Sequence, residues 1–142
     1  MDEDFIVWDN ALNVGYDLID DQHKGLVAMI NDLMAGCKKG AVAADIAFME
    51  VLEKTVDYAK THFAAEEKIL SQISYPDLSA HKDKHFQFLF EVVNIISEVE
   101  SGSTTPINMV LFLKNWLMGH IAVCDKEYVP YLKNLERSKR RL

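Results

Sequence analysis

His62-Phe63-Ala64-Ala65-Glu66-Glu67, then Tyr75-Pro76-Asp77, then His81-Lys82-Asp83-Lys84-His85: the reading of residues 62–85 decides the fold. His62 and Glu66 are four residues apart, and so are His81 and His85. On an α-helix, residues at i and i+4 share a face, so each pair directs two metal-ligand side chains at one spot. Tyr75-Pro76-Asp77 breaks the chain between the pairs. The stretch therefore reads as the end of one helix, a turn and the start of the next.

Outward from this hairpin, the apolar positions step by threes and fours, the pattern of core-facing helices. The helix that carries His62 is expected from about Ala44 to Ser71, with the stripe Leu52, Val56, Ala59, Phe63, Glu66 and Leu70. The one that carries His81 runs from about Ser79 to Glu100, with Phe88, Val92, Ile95 and Val99 below its two histidines. Upstream, Leu18 to Cys37 forms a helix on His23, Leu26, Ile30, Leu33 and Cys37, with Asp17 or Asp20 as N-cap. Lys38, Lys39 and Gly40 close it. Downstream, Ser101-Gly102-Ser103 is a break. A fourth helix starts at Pro106 after Thr105 and runs through Met109, Leu113, Trp116, His120 and Val123 to about Tyr128, ahead of Pro130. Short links between long helices favour antiparallel neighbours. The expected fold is all-α: an antiparallel up-down-up-down four-helix bundle, with an ordered N-terminal arm over residues 1–16 and a short C-terminal helical segment. At 142 residues, 1–142 is expected to be a single domain.

The bundle brings the start of the first helix level with the end of the second, the start of the third and the end of the fourth. His23, His62, Glu66, His81, His85, His120 and Asp125 all fall at that level. One of them departs from simple geometry. Five residues of α-helix turn through about 500°, which leaves Asp125 about 140° from His120. A π-bulge or a local unwinding would bring it back, and such turns are frequent at functional sites.

Taken singly, each of these residues has an ordinary reading: a core imidazole at His23, a surface pair at His62/Glu66, a solvated helix start at His81/His85. Together they put His or carboxylate at one height on four core stripes, and burying that many polar groups without partners is costly. Imidazole with carboxylate suits iron, zinc or copper, and five imidazoles with two carboxylates are about right for two ions. Glu67 reads as solvated or as a support to the ligands, Asp20 and Asp21 as caps or solvent-facing groups. Trp8, Trp116, Phe63, Phe86 and Phe88 read as packing residues.

The whole-chain balance narrows the classes. A net charge of −7 argues against nucleic acid as the main partner. The basic tail, Lys133, Arg137, Lys139, Arg140 and Arg141, reads as a solvated C-terminus. No uninterrupted apolar run approaches the ~20 residues of a membrane span, and no signal peptide is apparent. Two cysteines, Cys37 and Cys124, make no disulfide framework. A cytoplasmic protein with no membrane partner is expected.

With these residues assembled, the chain resembles the hemerythrins, the bacterial ones in particular. The resemblance is carried by Val7-Trp8, Val14-Gly15, Ile19-Asp20-Asp21-Gln22-His23-Lys24, the segment from His62 to Glu67, Tyr75-Pro76, His81 to His85, Trp116-Leu117, and His120-Ile121 with Asp125-Lys126. It implies two non-haem iron ions that bind dioxygen reversibly. His81, His85 and His120 would hold one iron, His23 and His62 the other. Glu66 and Asp125 would bridge both, with a solvent-derived oxo or hydroxo group. The second iron then has one coordination position open. It also places Ile121 and Ala122 beside the oxygen pocket, where a small Ala122 would widen access. Oxygen storage, delivery or scavenging is the expected role, rather than catalysis. An oxygen-sensing or interaction module and a di-iron peroxidase-type enzyme are the alternatives. The imidazole-rich set favours reversible binding over the oxygen activation of carboxylate-rich centres.

Overall fold

The computed structural model describes residues 5–133. After a 3-10 turn at Asn10–Leu12 come four helices: α1 (Asp17–Cys37), α2 (Ala41–Gln72), α3 (Leu78–Glu100) and α4 (Pro106–Gly119). From α4 the chain stays helical through a π-helical turn at His120–Asp125, a 3-10 turn at Lys126–Tyr128 and residues 129–133. There is no strand among the described residues. α1 packs on α2 and α4, and α3 packs on the same two, closing the ring of an up-down-up-down bundle. Arg137, Lys139, Arg140 and Arg141 of the basic tail lie outside the described residues.

Local chemistry explains most of the boundaries. Gly40 (φ +112) and Gly102 (φ +80) turn the chain where side-chain-bearing residues are disfavoured, between α1 and α2 and between α3 and α4. Pro106 opens α4 in the first turn, where no N–H is needed. α2 begins at Ala41, three residues before the expected Ala44, because Ala41-Val42-Ala43 can continue the helix up to Gly40. Pro130 does not stop the fourth helical stretch: it falls in the first turn after the 3-10 segment, where its missing N–H costs little. Val123, expected on the core stripe, is 59% exposed because the π-helical turn rotates it outward.

The N-terminal arm is tied down by a residue expected to cap α1 or face solvent. Asp20 is buried, and its carboxylate accepts from the backbone N–H groups of Val14 (2.7 Å) and Gly15 (3.1 Å). The residue preceding α1 is Tyr16, with no side-chain cap. Hydrogen bonds to a charged group contribute about 1.5–3 kcal/mol each. Asp20→Ala should therefore cost roughly 3 kcal/mol or more, read as a lower denaturant midpoint. A midpoint equal to that of the unmodified chain would show that the arm is held by other contacts.

Two apolar clusters fill the bundle. The larger includes Leu26, Ile30, Phe63, Phe88, Leu113, Leu117 and Ile121. The smaller, of Val14, Ile19, Ile69, Leu70, Tyr75, Tyr128 and Leu132, caps one end. Pro106–Lys133 is long and apolar enough to cross a membrane by length and composition alone, with a mean hydropathy of 1.4. In the fold it is the fourth wall of the bundle, and it carries the buried His120 and Asp125.

Both cysteines are free and half-buried. Cys37 ends α1, roughly 21 Å along the helix from His23 at 1.5 Å per residue, while Cys124 accepts a hydrogen bond from Lys84 at 3.2 Å. Titration under denaturing, non-reducing conditions should find both thiols; a monomer with neither would contradict the antiparallel arrangement.

Candidate metal centre

The layer between the two apolar clusters is polar. His23 lies three residues before Leu26 of the larger cluster and four after Ile19 of the smaller one. Glu66 and Asp125 are sandwiched in the same way, by Phe63 and Leu70 and by Ile121 and Tyr128, and His85 lies three residues before Phe88 of the larger cluster. The structure brings all seven expected residues together there. Each is at most 5% exposed, and His23, Glu66 and Asp125 are fully buried. The π-helical turn at His120–Asp125 takes in the extra residue of the five-residue spacing and so brings Asp125 back to the face of His120.

The contacts fall into two groups that share both carboxylates. Glu66 Oε1 lies 2.5 Å from His81 Nε2 and 3.2 Å from His85 Nε2. Its Oε2 lies 3.3 Å from His62 Nε2 and 3.6 Å from His23 Nε2. Asp125 repeats the division: Oδ1 is 3.1 Å from His120 Nε2 and 3.2 Å from His81 Nε2, while Oδ2 is 3.1 Å from His23 Nε2. One oxygen of each carboxylate thus serves His81, His85 and His120, and the other serves His23 and His62. The donor atoms of Glu66 with His81, His85 and His120, and of Glu66 with His23 and His62, lie within 4.8 Å of one another.

Charge and burial compete at these groups. Burial works against the charged forms of His23 and His81, but Asp125 and Glu66 outweigh it and raise both imidazoles to about 9. His85 is held below its ordinary value by burial, with the imidazoles of His120 and His81 adding to the effect. For Glu66, burial opposes ionisation, yet His23, His62, His81 and His85 hold its carboxyl well below the usual range. Asp125 is likewise held down, against burial and Glu66, by His120, His23 and His81. Burial, then the charges of Asp125 and Glu66, push the Tyr128 phenol far up. Tyr128 stays protonated and donates to Glu66 Oε2 at 3.2 Å.

These residues fit a bound cation better than they fit one another. Asp125 Oδ1 and Oδ2 and His23 Nε2 are buried with no hydrogen-bond partner among the described residues, although ionisable atoms lie within about 3 Å of each. The lone pairs are not angled at neighbouring donors. A cation would satisfy them together, and partnerless burial is what such groups avoid.

Surrounding side chains fix the rings. Phe63 stacks on His85 (centroids 3.9 Å apart, 9° between planes) and Trp116 on His120 (4.3 Å, 14°). The His62 Nδ1–H donates to Gln22 Oε1 at 2.7 Å. His85 Nδ1 faces Glu67 Oε2 at 3.7 Å. Sequence reasoning missed Tyr128 and the role of Gln22. Tyr128 had a signal, three residues beyond Asp125 and so on its face; Gln22, one residue from His23, had none, because its partner is on another helix. Ala122, expected beside the pocket, is exposed, and its neighbour Ile121 is the fully buried residue.

Fold and site together define a class: a four-helix bundle enclosing a buried imidazole–carboxylate set that fits a non-haem iron centre. The model of the hemerythrin HHE cation binding domain matches residues 14–132, and the chain belongs to the hemerythrin family. It is 36% identical over 129 residues to a bacteriohemerythrin of Pseudomonas aeruginosa, covering 91% of this chain and 82% of that one. It is 32% identical over 131 residues to a bacteriohemerythrin of Stenotrophomonas maltophilia (90% and 82%) and 30% identical over 122 residues to myohemerythrin-1 of Phascolopsis gouldii (86% and 90%). A crystal structure of wild-type hemerythrin superposes with a TM-score of 0.76 at 26% identity, over 90% of this chain and 98% of that one.

Proposed function

We propose that this chain binds dioxygen reversibly at a non-haem di-iron centre, for oxygen storage, delivery or scavenging. The division of both carboxylates between a three-histidine group and a two-histidine group carries the reading. His81, His85 and His120 would hold one iron and His23 and His62 the other, with Glu66 and Asp125 shared between the two positions. The two-histidine side is one donor short, and a ligand-binding metal needs an open position. When bound, the irons supply the electrons and the coordination position that dioxygen requires.

The chain's own residues do the rest. Glu66 and Asp125 offset the metal charge inside the bundle. Tyr128 orients Glu66 through its hydroxyl. Next to Phe63 and Trp116, which stack on His85 and His120, is a small cavity of about 20 Å³, its lining including Leu26, Ala59, Phe63, Phe88, Trp116 and Leu117. That is room for about one water, and a cavity with apolar walls stays dry. The buried apolar cluster around it keeps bulk water from the core side of the centre.

The test is anaerobic reduction followed by exposure to air, watched by optical spectroscopy. A visible charge-transfer band that appears with air and disappears on deoxygenation is the expected result, with two irons per chain. One zinc and no iron in carefully reconstituted protein would defeat the reading. Rapid loss of the band with peroxide turnover would instead mark a di-iron enzyme.

A further inference from the structure

We propose that Gln22 is a positioning residue that makes the two metal positions chemically unequal. The inference rests on the reading of His62 and His85 as ligands. Gln22 precedes His23 on α1, yet its side chain serves a histidine on another helix: its amide oxygen, Oε1, takes the His62 Nδ1–H at 2.7 Å. A carbonyl oxygen carries no proton, so the shared proton sits on Nδ1. His62 is thereby held in the tautomer whose Nε2 lone pair points inward, 3.3 Å from Glu66 Oε2. The other carboxylate oxygen, Oε1, lies against His85, and the carboxylate of Glu67 faces His85 Nδ1 at 3.7 Å, a charge contact too long for a hydrogen bond, so that Nδ1 has no hydrogen-bond partner among the described residues.

The two histidines thus share one bridging carboxylate but have different supports. A carboxylate behind an imidazole raises its basicity and strengthens its donation to a metal; a neutral amide orients the ring without adding charge. Gln22 therefore keeps the two-histidine position properly oriented but the weaker donor of the two. His23 Nδ1, like His85 Nδ1, has no hydrogen-bond partner among the described residues, so the tautomer that a hydrogen bond fixes on the two-histidine side is that of His62.

Two measurements test this. In metal-free protein, nitrogen-15 NMR of the histidine rings should show His62 protonated at Nδ1, with Gln22→Ala giving a mixture of tautomers. In anaerobic cobalt(II) titration, Gln22→Ala should weaken one of two equivalents about 10–100-fold. Gln22→Glu should restore or exceed the original affinity, and Glu67→Gln should weaken the other equivalent. His62 protonated at Nε2 in the unmodified chain would overturn the proposal. So would a Gln22→Ala variant that binds both equivalents normally, or Gln22→Ala and Glu67→Gln weakening the same one. An unmodified chain that takes up no cobalt would defeat the metal reading itself, and the NMR result alone would then decide the role of Gln22.

Discussion

Glu66→Ala is expected to bring the iron content from two per chain to near none, whereas Glu67→Ala should retain the centre with an affinity about 10-fold lower. The difference follows from placement. Glu66 is fully buried and faces four imidazoles and the Tyr128 hydroxyl. Its removal takes one donor oxygen from each metal position and leaves the rings to repel one another. Glu67 lies about 100° further round the helix, is 24% exposed, and faces the outer nitrogen of His85 at 3.7 Å. Iron analysis and the optical spectrum of the two purified variants provide the check. Equal and near-normal iron in both would mean that the bridge lies elsewhere.

Stripping the metal should lower the melting temperature by roughly 10–20 °C. An ion present at a thousand times its dissociation constant stabilises the fold by about 4 kcal/mol, and each kcal/mol moves the midpoint by about 4 °C at this chain length. The stripped chain should also lose stability as the pH rises from about 6.5 to 9. His23 and His81 are raised to about 9 in the fold, Asp125 and Glu66 overcoming the opposing effect of burial. A raised value means that the folded chain binds the proton more tightly than the unfolded one. That contribution is complete below 6.5 and disappears as the pH passes through about 9. Glu66 and Asp125, held low, act in the opposite sense: their contribution is present above the ordinary carboxylate range and lost on acidification. In the loaded protein the imidazoles are already deprotonated by coordination, so its midpoint should vary little between pH 6.5 and 9. Melting curves at several pH values, with and without metal, decide the matter; a stripped chain whose midpoint is flat or rises over that range would contradict the assignment.

The helices were legible because their apolar stripes and breakers agree: Gly40, Pro76, Gly102 and Pro106 stand where the chain turns, and the periodicity runs unbroken between them. The site was legible for the same reason, since His62/Glu66 and His81/His85 are in helical register and the bundle levels the rest. Even the winding at Asp125 was foreseeable, because five residues do not fit a turn of α-helix. What the sequence hid were contacts between elements. Asp20 has the composition of a cap, and only the path of the arm over α1 shows that it holds Val14 and Gly15. Ala122 and Val123 follow His120, and the π-helical turn that brings Asp125 inward carries both to the surface. The supports of His62 and Glu66, from Gln22 and Tyr128, depend on which helix lies next to which.

That turn bears on how such a chain can change length. A π-helical turn is one residue longer than the α-turn it replaces while the helix on either side keeps its facing. Removing one surface residue between His120 and Asp125, Ala122 for instance, would leave the ligands four apart and on one face of a regular helix. The same donor geometry is then reachable from two gene lengths. A deletion, ordinarily ruinous inside a core helix, would at this one place keep Asp125 on the face of His120.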